Sequence, residues 1–334
     1  IFEDVRDYSI TANWILVKGG TFQIGSATQP FQHNVQITLT GQTQDVQIPT
    51  YGNKVFAVRG GKVLIYGKPK TTWTTLTTTA NAEETQITVA DVTGWNVGDK
   101  IVISSTDFEH DHYDTATITS IAGNVVTLDT PLAYSHYSNV ETYSTGTVTI
   151  AAEVGMLTRN IIIQGDSISE NYHYGAHVLI SQYGVPATAV FQYVEFFRVG
   201  QRGQKNRFPV NFVQIYDAPD SALVGCAIHR SYNRGVRVLQ SSYIEFQRNV
   251  LFDIVGHGFY LESTTETFNN FDGNLVLGIK SNYFFETTDI TAAAFFITNP
   301  QNYFANNVAA GSQYYGFAFS IKNGPKNTDA FVIT

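Results

Sequence analysis

Apolar and other β-favouring residues come in short runs along this chain, and glycine and asparagine punctuate them. Three early runs show the pattern: Val35–Leu39, residues 55–58 and residues 63–66. Runs of four or five such residues are typical of β-strands, and glycine and asparagine favour the turns between strands. No stretch shows the 3.6-residue apolar spacing of an amphipathic helix. The pattern therefore predicts an all-β protein with very little helix.

A nine-residue offset recurs in the second half of the chain, and apolar residues follow directly after each asparagine that shows it. The pairs are Cys226 with Gly235, Asn249 with Gly258, and Asn307 with Gly316; related runs follow Asn160 and Asn274. In a parallel β-helix, like residues stack in successive coils, and inward asparagines can form a hydrogen-bonded ladder at the turns. We therefore expect a parallel β-helix in which Cys226, as a small buried residue, occupies an asparagine position.

The pattern of apolar and polar residues changes between Ala82 and Ser138. Longer alternations of apolar and polar residues appear there, and Gly123-Asn124 is the kind of two-residue turn that closes an antiparallel hairpin. The sequence thus predicts a small antiparallel β-barrel inserted into a larger body. The expected boundaries are residues 1–81 for the first β-helix coils, 82–138 for the barrel and 139–334 for the main β-helix.

Composition and charge narrow the class of partner. Of the 334 residues, 43% are apolar and only 14% are charged, the net charge is −8, and the 20 lysines and arginines form no block. This argues against nucleic acid as a partner, because phosphate backbones are bound by clustered basic residues. No apolar run reaches the roughly eighteen residues needed to cross a bilayer, so we expect no membrane contact by this segment. The single cysteine rules out an internal disulfide.

Several segments carry a resemblance to a known family. They are Trp73 with Leu76, residues 94–108 (GWNVGDKIVISSTDF), residues 152–161, residues 228–234, residues 256–262 and residues 299–317. The chain resembles the eight-glycine (G-eight) domain family, which includes fibrocystin-like surface proteins, transmembrane protein 2 and the cell-migration-inducing hyaluronan-binding protein. The resemblance implies a right-handed parallel β-helix on an extracellular or cell-surface protein. Two members of this group are linked to hyaluronan cleavage.

The chain departs from the hyaluronan-degrading members at positions that matter for chemistry. Those members read Tyr-Pro-Ile-His-Phe-His where this chain has residues 208–213, so Asn211 and Val213 replace two histidines. A third family histidine corresponds to Leu239, and a family carboxylate corresponds to Ser263. Valine and leucine can neither carry a proton nor bind a metal.

Four titratable residues remain as candidates for a catalytic site, namely His229, His257, Glu262 and Glu266. Stacked coils could bring the two histidines to one wall with the acids near them, as a metal site or a general acid–base pair requires. The alternative is a structural relic whose buried polar groups are satisfied by hydrogen bonds. Because three imidazoles are lost, the sequence favours the relic and predicts no catalytic residue.

The densest cluster of possible metal ligands lies in one segment, at His110, Asp111, His112 and Asp114. A loop that curled round a divalent cation could use such residues. Because no fixed ligand spacing is recognisable, a solvated loop between two barrel strands is favoured over a metal site. The sequence predicts no other cofactor.

Aromatic clusters such as Tyr314-Tyr315 could form sugar-binding platforms, but ring stacks inside a solenoid are favoured over glycan contact. Taken together, the sequence predicts a non-catalytic segment of a large extracellular or cell-surface protein with a structural or adhesive role. Expected partners are other surface proteins, further copies of the chain or a polysaccharide. The alternative function is a polysaccharide-active, hyaluronidase-like enzyme.

Overall fold

A computed structural model describes residues 1–284 and 287–321. The chain divides into two compact units, one formed by Ile1–Lys68 with Arg159–Thr334 and the other by Pro69–Thr158. Besides the strands, the described residues contain a short α-helix at Ser169–Tyr172 and a 3-10 helix at Thr287–Asp289. The all-β class predicted from the sequence is confirmed. Neither helix is long or apolar enough to cross a membrane.

The larger unit consists of three parallel sheets that wind together as a β-helix, and each coil adds one strand to each sheet. Sheet 1 contains Tyr8–Ala12, Val35–Leu39, Ile161–Gly165, Val194–Val199, Ala227–Ser231, Val250–Val255, Leu275–Lys280 and Val308–Ala309. Sheet 2 contains Trp14–Val17, Val55–Arg59, His177–Ser181, Val210–Asp217, Val236–Ser242, Phe259–Leu261, Ala293–Ile297 and Tyr315–Phe319. Sheet 3 contains Thr21–Ile24, Gly61–Tyr66, Ala187–Gln192, Ala222–Val224, Glu245–Gln247, Asn270–Asp272 and Tyr303–Ala305.

Like side chains stack along the inside of these sheets. The Phe259 and Phe295 rings lie 5.3 Å apart, and those of Phe295 and Phe317 lie 4.7 Å apart and nearly parallel. This spacing follows from the distance between neighbouring strands. The predicted interior aromatic stacks are therefore present, although the Tyr314 and Tyr315 side chains are about half exposed.

The predicted asparagine ladder lies at the turn from sheet 3 to sheet 1. Asn249 Nδ2 donates to Asn274 Oδ1 at 2.9 Å, and Asn274 Nδ2 donates to Asn307 Oδ1 at the same distance. At the top of the ladder the Cys226 backbone N–H donates to Asn249 Oδ1, so the cysteine occupies an asparagine position as predicted. A second ladder, which the sequence analysis missed, joins Asn269 Nδ2 to Asn302 Oδ1 at 3.0 Å.

Gly225 lies at the same turn, in the left-handed region at φ 64°. A Cβ atom there would lie 2.6 Å from a ring carbon of Tyr193 in the preceding coil. The absent side chain thus lets the tyrosine ring lie flat against the turn. Both the backbone conformation and this close approach require glycine.

The smaller unit contains a six-stranded antiparallel sheet and a separate hairpin. The sheet strands are Trp73–Thr75, Gln86–Thr88, Lys100–Ile103, Asp114–Ala122, Val125–Leu128 and Glu153–Met156; the hairpin pairs Ser138–Tyr143 with Gly146–Ala151. A bridge between Leu76 and Val89 joins the two edges of the sheet. Ala122 pairs with Val125, so Gly123-Asn124 closes a hairpin as predicted.

The smaller unit is longer than the predicted residues 82–138. Glu153–Met156 pairs with both Trp73–Thr75 and Lys100–Ile103, so strands on either side of the predicted insert complete its sheet. Leu76 and Met156 are buried in the same core. The compact unit therefore runs from Pro69 to Thr158.

Candidate functional site

The three positions at which hyaluronan-degrading relatives carry histidine lie together on the outer face of sheet 2. Asn211 and Val213 alternate with the core residue Phe212, so they point away from the core. Val213 pairs in register with Leu239 of the next coil. All three side chains are buried. The outer face of sheet 2 thus offers an amide and two aliphatic groups where the relatives offer imidazoles.

Glu262, at the end of the next sheet 2 strand, is held by an arginine. The Arg237 guanidinium forms a buried ion pair with the Glu262 carboxylate, and its Nη1 donates to Asn206 Oδ1 at 2.7 Å. Arg237 is adjacent in register to Asn211. The ion pair and this hydrogen bond fix the Glu262 and Arg237 side chains together on the outer face of sheet 2.

His257 is fully buried at the turn from sheet 1 to sheet 2. Its Nδ1 accepts a hydrogen bond from the Ala293 N–H at 3.1 Å, which places the proton of the neutral ring on Nε2. Nε2 lies 3.3 Å from Asp289 Oδ1 without good hydrogen-bond geometry. Burial, together with the charge of Arg234, lowers the pKa of His257 well below its usual range. The histidine is therefore a neutral structural group.

Asp289 is the carboxylate that neutralises Arg234. The Arg234 Nε and Nη2 atoms donate to the two Asp289 oxygens at 2.7 and 2.8 Å, and both side chains are buried. This bidentate geometry is the strong form of an arginine–carboxylate pair. It anchors the segment that precedes strand Ala293–Ile297.

Glu266 stabilises the turn that follows Glu262. It accepts hydrogen bonds from the backbone N–H groups of Gln240, at 2.8 Å, and Ser263, at 3.1 Å. Burial raises the pKa of the Glu266 carboxyl. Ser263, which replaces a family carboxylate, donates its hydroxyl to Glu266. These contacts give Glu266 a structural role in the loop.

His229 lies on sheet 1, away from the other three candidates in the coil. Its Nε2 pairs with Glu195 Oε1 at 3.0 Å, and its ring packs against Phe197 at 4.9 Å. Glu195 also accepts the Arg159 N–H. The two histidines therefore lie apart, whereas Glu262 and Glu266 both contact strand Val236–Ser242, through Arg237 and Gln240.

The candidate metal ligands of the smaller unit pair with other groups. His112 Nδ1 pairs with Asp107 at 2.8 Å, which raises the pKa of the histidine. Asp114 accepts the Ala133 and Tyr134 N–H groups and pairs with His136 Nε2 at 2.9 Å.

His110 and Asp111 lie in the loop between Lys100–Ile103 and Asp114–Ala122. Across residues 1–284 and 287–321, no three or more histidine, cysteine or acidic side chains are grouped to hold a metal ion. The buried His136 was not singled out from the sequence, because a histidine 22 residues from its aspartate carries no spacing signal.

The fold defines a parallel β-helix protein, and comparisons with known proteins show what it resembles. The G8 domain model matches residues 1–77, and the CEMIP beta-helix model matches residues 173–333. The chain thus resembles proteins that carry a G8 domain and a CEMIP-type β-helix.

The relatives are much longer than this chain. Fibrocystin-L of Mus musculus is 34% identical over 97% of the chain, and that of Homo sapiens is 34% identical over 96%, but the chain spans only 9% of either protein. A G8 domain-containing protein of Dictyostelium discoideum is 30% identical over 96% of the chain, which spans 30% of it.

Among solved structures, a tailspike of the Acinetobacter baumannii bacteriophage AP22 aligns with 91% of the chain and 46% of its own length. The sequence identity is 11% and the TM-score is 0.27.

Proposed function

We propose that this chain is a non-catalytic segment of a large extracellular or cell-surface protein, with a structural or adhesive role. The length of its relatives supports the first part, because the chain spans about a tenth of fibrocystin-L. A β-helix supports the second part, since stacked coils give a long, rigid surface for binding other surface proteins or polysaccharide.

The observation that carries the proposal is the burial of Asn211, Val213 and Leu239 on the outer face of sheet 2. A positioned proton donor or acceptor typically contributes a rate factor of about 10² to 10⁴. None of these three side chains can transfer a proton. The nearby Glu262 already forms an ion pair with Arg237.

The test is to incubate the purified chain with long hyaluronan, with and without calcium, and to measure polymer length. A hyaluronan-degrading member of the family serves as the positive control. We expect no shortening by this chain in either condition. Shortening that disappears in His257→Gln or Glu262→Gln would overturn the proposal and establish the enzyme.

A specific feature favours polysaccharide as the adhesive partner. The Tyr243 and Phe268 rings stack at 5.1 Å on the turn from sheet 2 to sheet 3, and Tyr243 is 41% exposed. Exposed aromatic rings present an apolar face beside a polar hydroxyl, which suits a sugar ring.

Co-sedimentation with the polymer tests this role. Tyr243→Asn should reduce binding, because asparagine tolerates the positive φ of 65° but has no ring. Tyr172→Asn is the control, since Tyr172 is 64% exposed on the short helix, away from the stack. Equal binding by both variants would show that Tyr243 is not part of the binding surface.

A further inference from the structure

His177 is a fully buried histidine on the outer face of sheet 2. Its backbone N–H donates to the Lys54 carbonyl at 3.0 Å, and it starts the strand that pairs with Val55–Arg59. Neither ring nitrogen has a hydrogen-bond partner among the described residues. Buried polar side chains are almost always hydrogen-bonded, so this ring requires a partner that is not a protein group.

Arg207 lies next to His177. The Val178 N–H donates to the Pro209 carbonyl at 2.9 Å, which places residues 207–209 beside the start of the His177 strand. The charge of Arg207 contributes, after burial, to a pKa of His177 well below its usual range. The half-buried guanidinium thus lies near the ring.

Arg207 has no carboxylate partner within residues 1–284 and 287–321. Its Nη1 donates to the Thr50 carbonyl at 3.0 Å, and its Nε and Nη2 donate to no described residue. The guanidinium packs against Gly52, because a Cβ there would lie 2.6 Å from Nε. The free Nε and Nη2 pair is the fork with which arginine binds the two oxygens of a carboxylate.

Two buried amide oxygens lie near Arg207, one in the loop that contains Arg207 and one on the strand Val210–Asp217 that follows it. Gln201 Oε1 and Asn211 Oδ1 have no partner among the described residues. The Gln201 N–H donates to the Arg207 carbonyl, and Asn211 Nδ2 donates to the Asn206 carbonyl, so both residues border Arg207. These oxygens accept hydrogen bonds, and a hydroxyl group would satisfy them where an anion would not.

We propose that Arg207, His177, Gln201 and Asn211 form a binding site for a small hydroxycarboxylate. Arg207 holds the carboxylate through Nε and Nη2, and a His177 ring N–H donates to the same group. The two amide oxygens accept the ligand hydroxyls. The site does not depend on the structural role proposed above, since it requires only binding.

Titration calorimetry with the full chain tests the site at constant ionic strength. The probes are glycolate, D-glucuronate, acetate and D-glucose. We expect glycolate or glucuronate to bind at least about tenfold more tightly than acetate, which has no hydroxyl, and glucose not to bind. If glucuronate binds more tightly than glycolate, the ligand class is a sugar acid. If glycolate binds more tightly, it is a simple hydroxy acid. Equal affinity for acetate and glycolate would overturn the role of the amide oxygens.

Variants locate the site. Arg207→Lys keeps the charge but loses the fork, and should weaken binding at least about tenfold. Arg230→Lys is the control, because Arg230 is exposed and pairs with Glu170. Unchanged affinity in Arg207→Lys would refute the proposal.

A measurement on the unmodified chain guards against a variant that fails to fold. The ring-proton resonances of His177 should shift saturably as the hydroxycarboxylate is added. An unchanged His177 spectrum at saturating ligand would also refute the proposal and leave enclosed water as the partner of the ring.

Discussion

Replacing Asn274 with alanine should destabilise the β-helix far more than an ordinary asparagine substitution. Asn274 is fully buried, and its amide makes four hydrogen bonds, to the Asn249 N–H, Asn249 Nδ2, the Phe246 carbonyl and Asn307 Oδ1. Alanine keeps the backbone N–H that donates to Asn307 Oδ1, but it leaves the Asn249 N–H, one Asn249 Nδ2 hydrogen and the Phe246 carbonyl without the side-chain partner. One water admitted to the cavity would satisfy about two of these three groups, and the remaining buried group costs about 1–3 kcal/mol. With about 1 kcal/mol for the hydrogen bonds that are lost, the expected loss is about 2–4 kcal/mol.

The matched control is Asn270→Ala, four residues away on the outer side of sheet 3. Asn270 donates a single hydrogen bond, to Glu245 at 2.8 Å, in a half-buried position. Its removal should cost about 1 kcal/mol. Both variants lose one side-chain amide, so the difference between their free energies of unfolding measures the contribution of the ladder.

Urea unfolding and amide hydrogen exchange give the readout. In Asn274→Ala, exchange at the Asn249 amide should accelerate by about 100-fold, which corresponds to about 2.8 kcal/mol of local stability. In Asn270→Ala the same amide should keep its protection. If the two variants lose the same small amount of stability, the ladder does not support the fold as argued here.

Four further outcomes follow from the structure. Gly225→Ala should lower the free energy of unfolding, measured in urea, by about 1–3 kcal/mol, because a Cβ there meets the Tyr193 ring. An unchanged urea midpoint would contradict this. Asp289→Asn should cost about 3–5 kcal/mol in the same assay, since it removes a charged partner from a buried arginine–carboxylate pair. Burial raises the pKa of the Cys226 thiol to about 12, so a thiol reagent at about pH 8 should react only on unfolding. Burial lowers the pKa of His177, so the unfolded chain binds more protons below the unperturbed pKa of about 6.5. The free energy of unfolding should therefore decrease as the pH is lowered below that value, and it should decrease less steeply in His177→Leu.

The β-helix could be predicted because its cause is local. Asn249, Asn274 and Asn307 each precede an apolar run, and the repeated order of asparagine and strand is visible without knowing the coil length. The second ladder gave only half of this signal. Tyr303-Phe304-Ala305 follows Asn302, but the polar Asn270 follows Asn269, so no apolar run marks Asn269 as inward.

The boundaries of the smaller unit depend on pairing that sequence does not show. Trp73–Thr75 and Glu153–Met156 are strands of three and four residues, separated by most of the unit. Their composition resembles that of the β-helix strands around them. Only the antiparallel register assigns them to the inserted sheet.

The side-chain partners on the outer face of sheet 2 could not be predicted for a similar reason. His177 and Arg207 are 30 residues apart, and His257 and Asp289 are 32 apart. Loops of different lengths separate the coils, so residue spacing does not reveal which side chains meet. The replaced histidines could be found because family resemblance supplies the register that spacing lacks.

The central proposal is that this β-helix does not cleave hyaluronan. The most direct measurement counts new reducing ends in hyaluronan incubated for days with the wild-type chain in stoichiometric amounts. The structure predicts no increase over buffer, because Asn211, Val213 and Leu239 cannot transfer protons. Reducing ends that grow in proportion to the protein and vanish in Glu262→Gln would contradict the account.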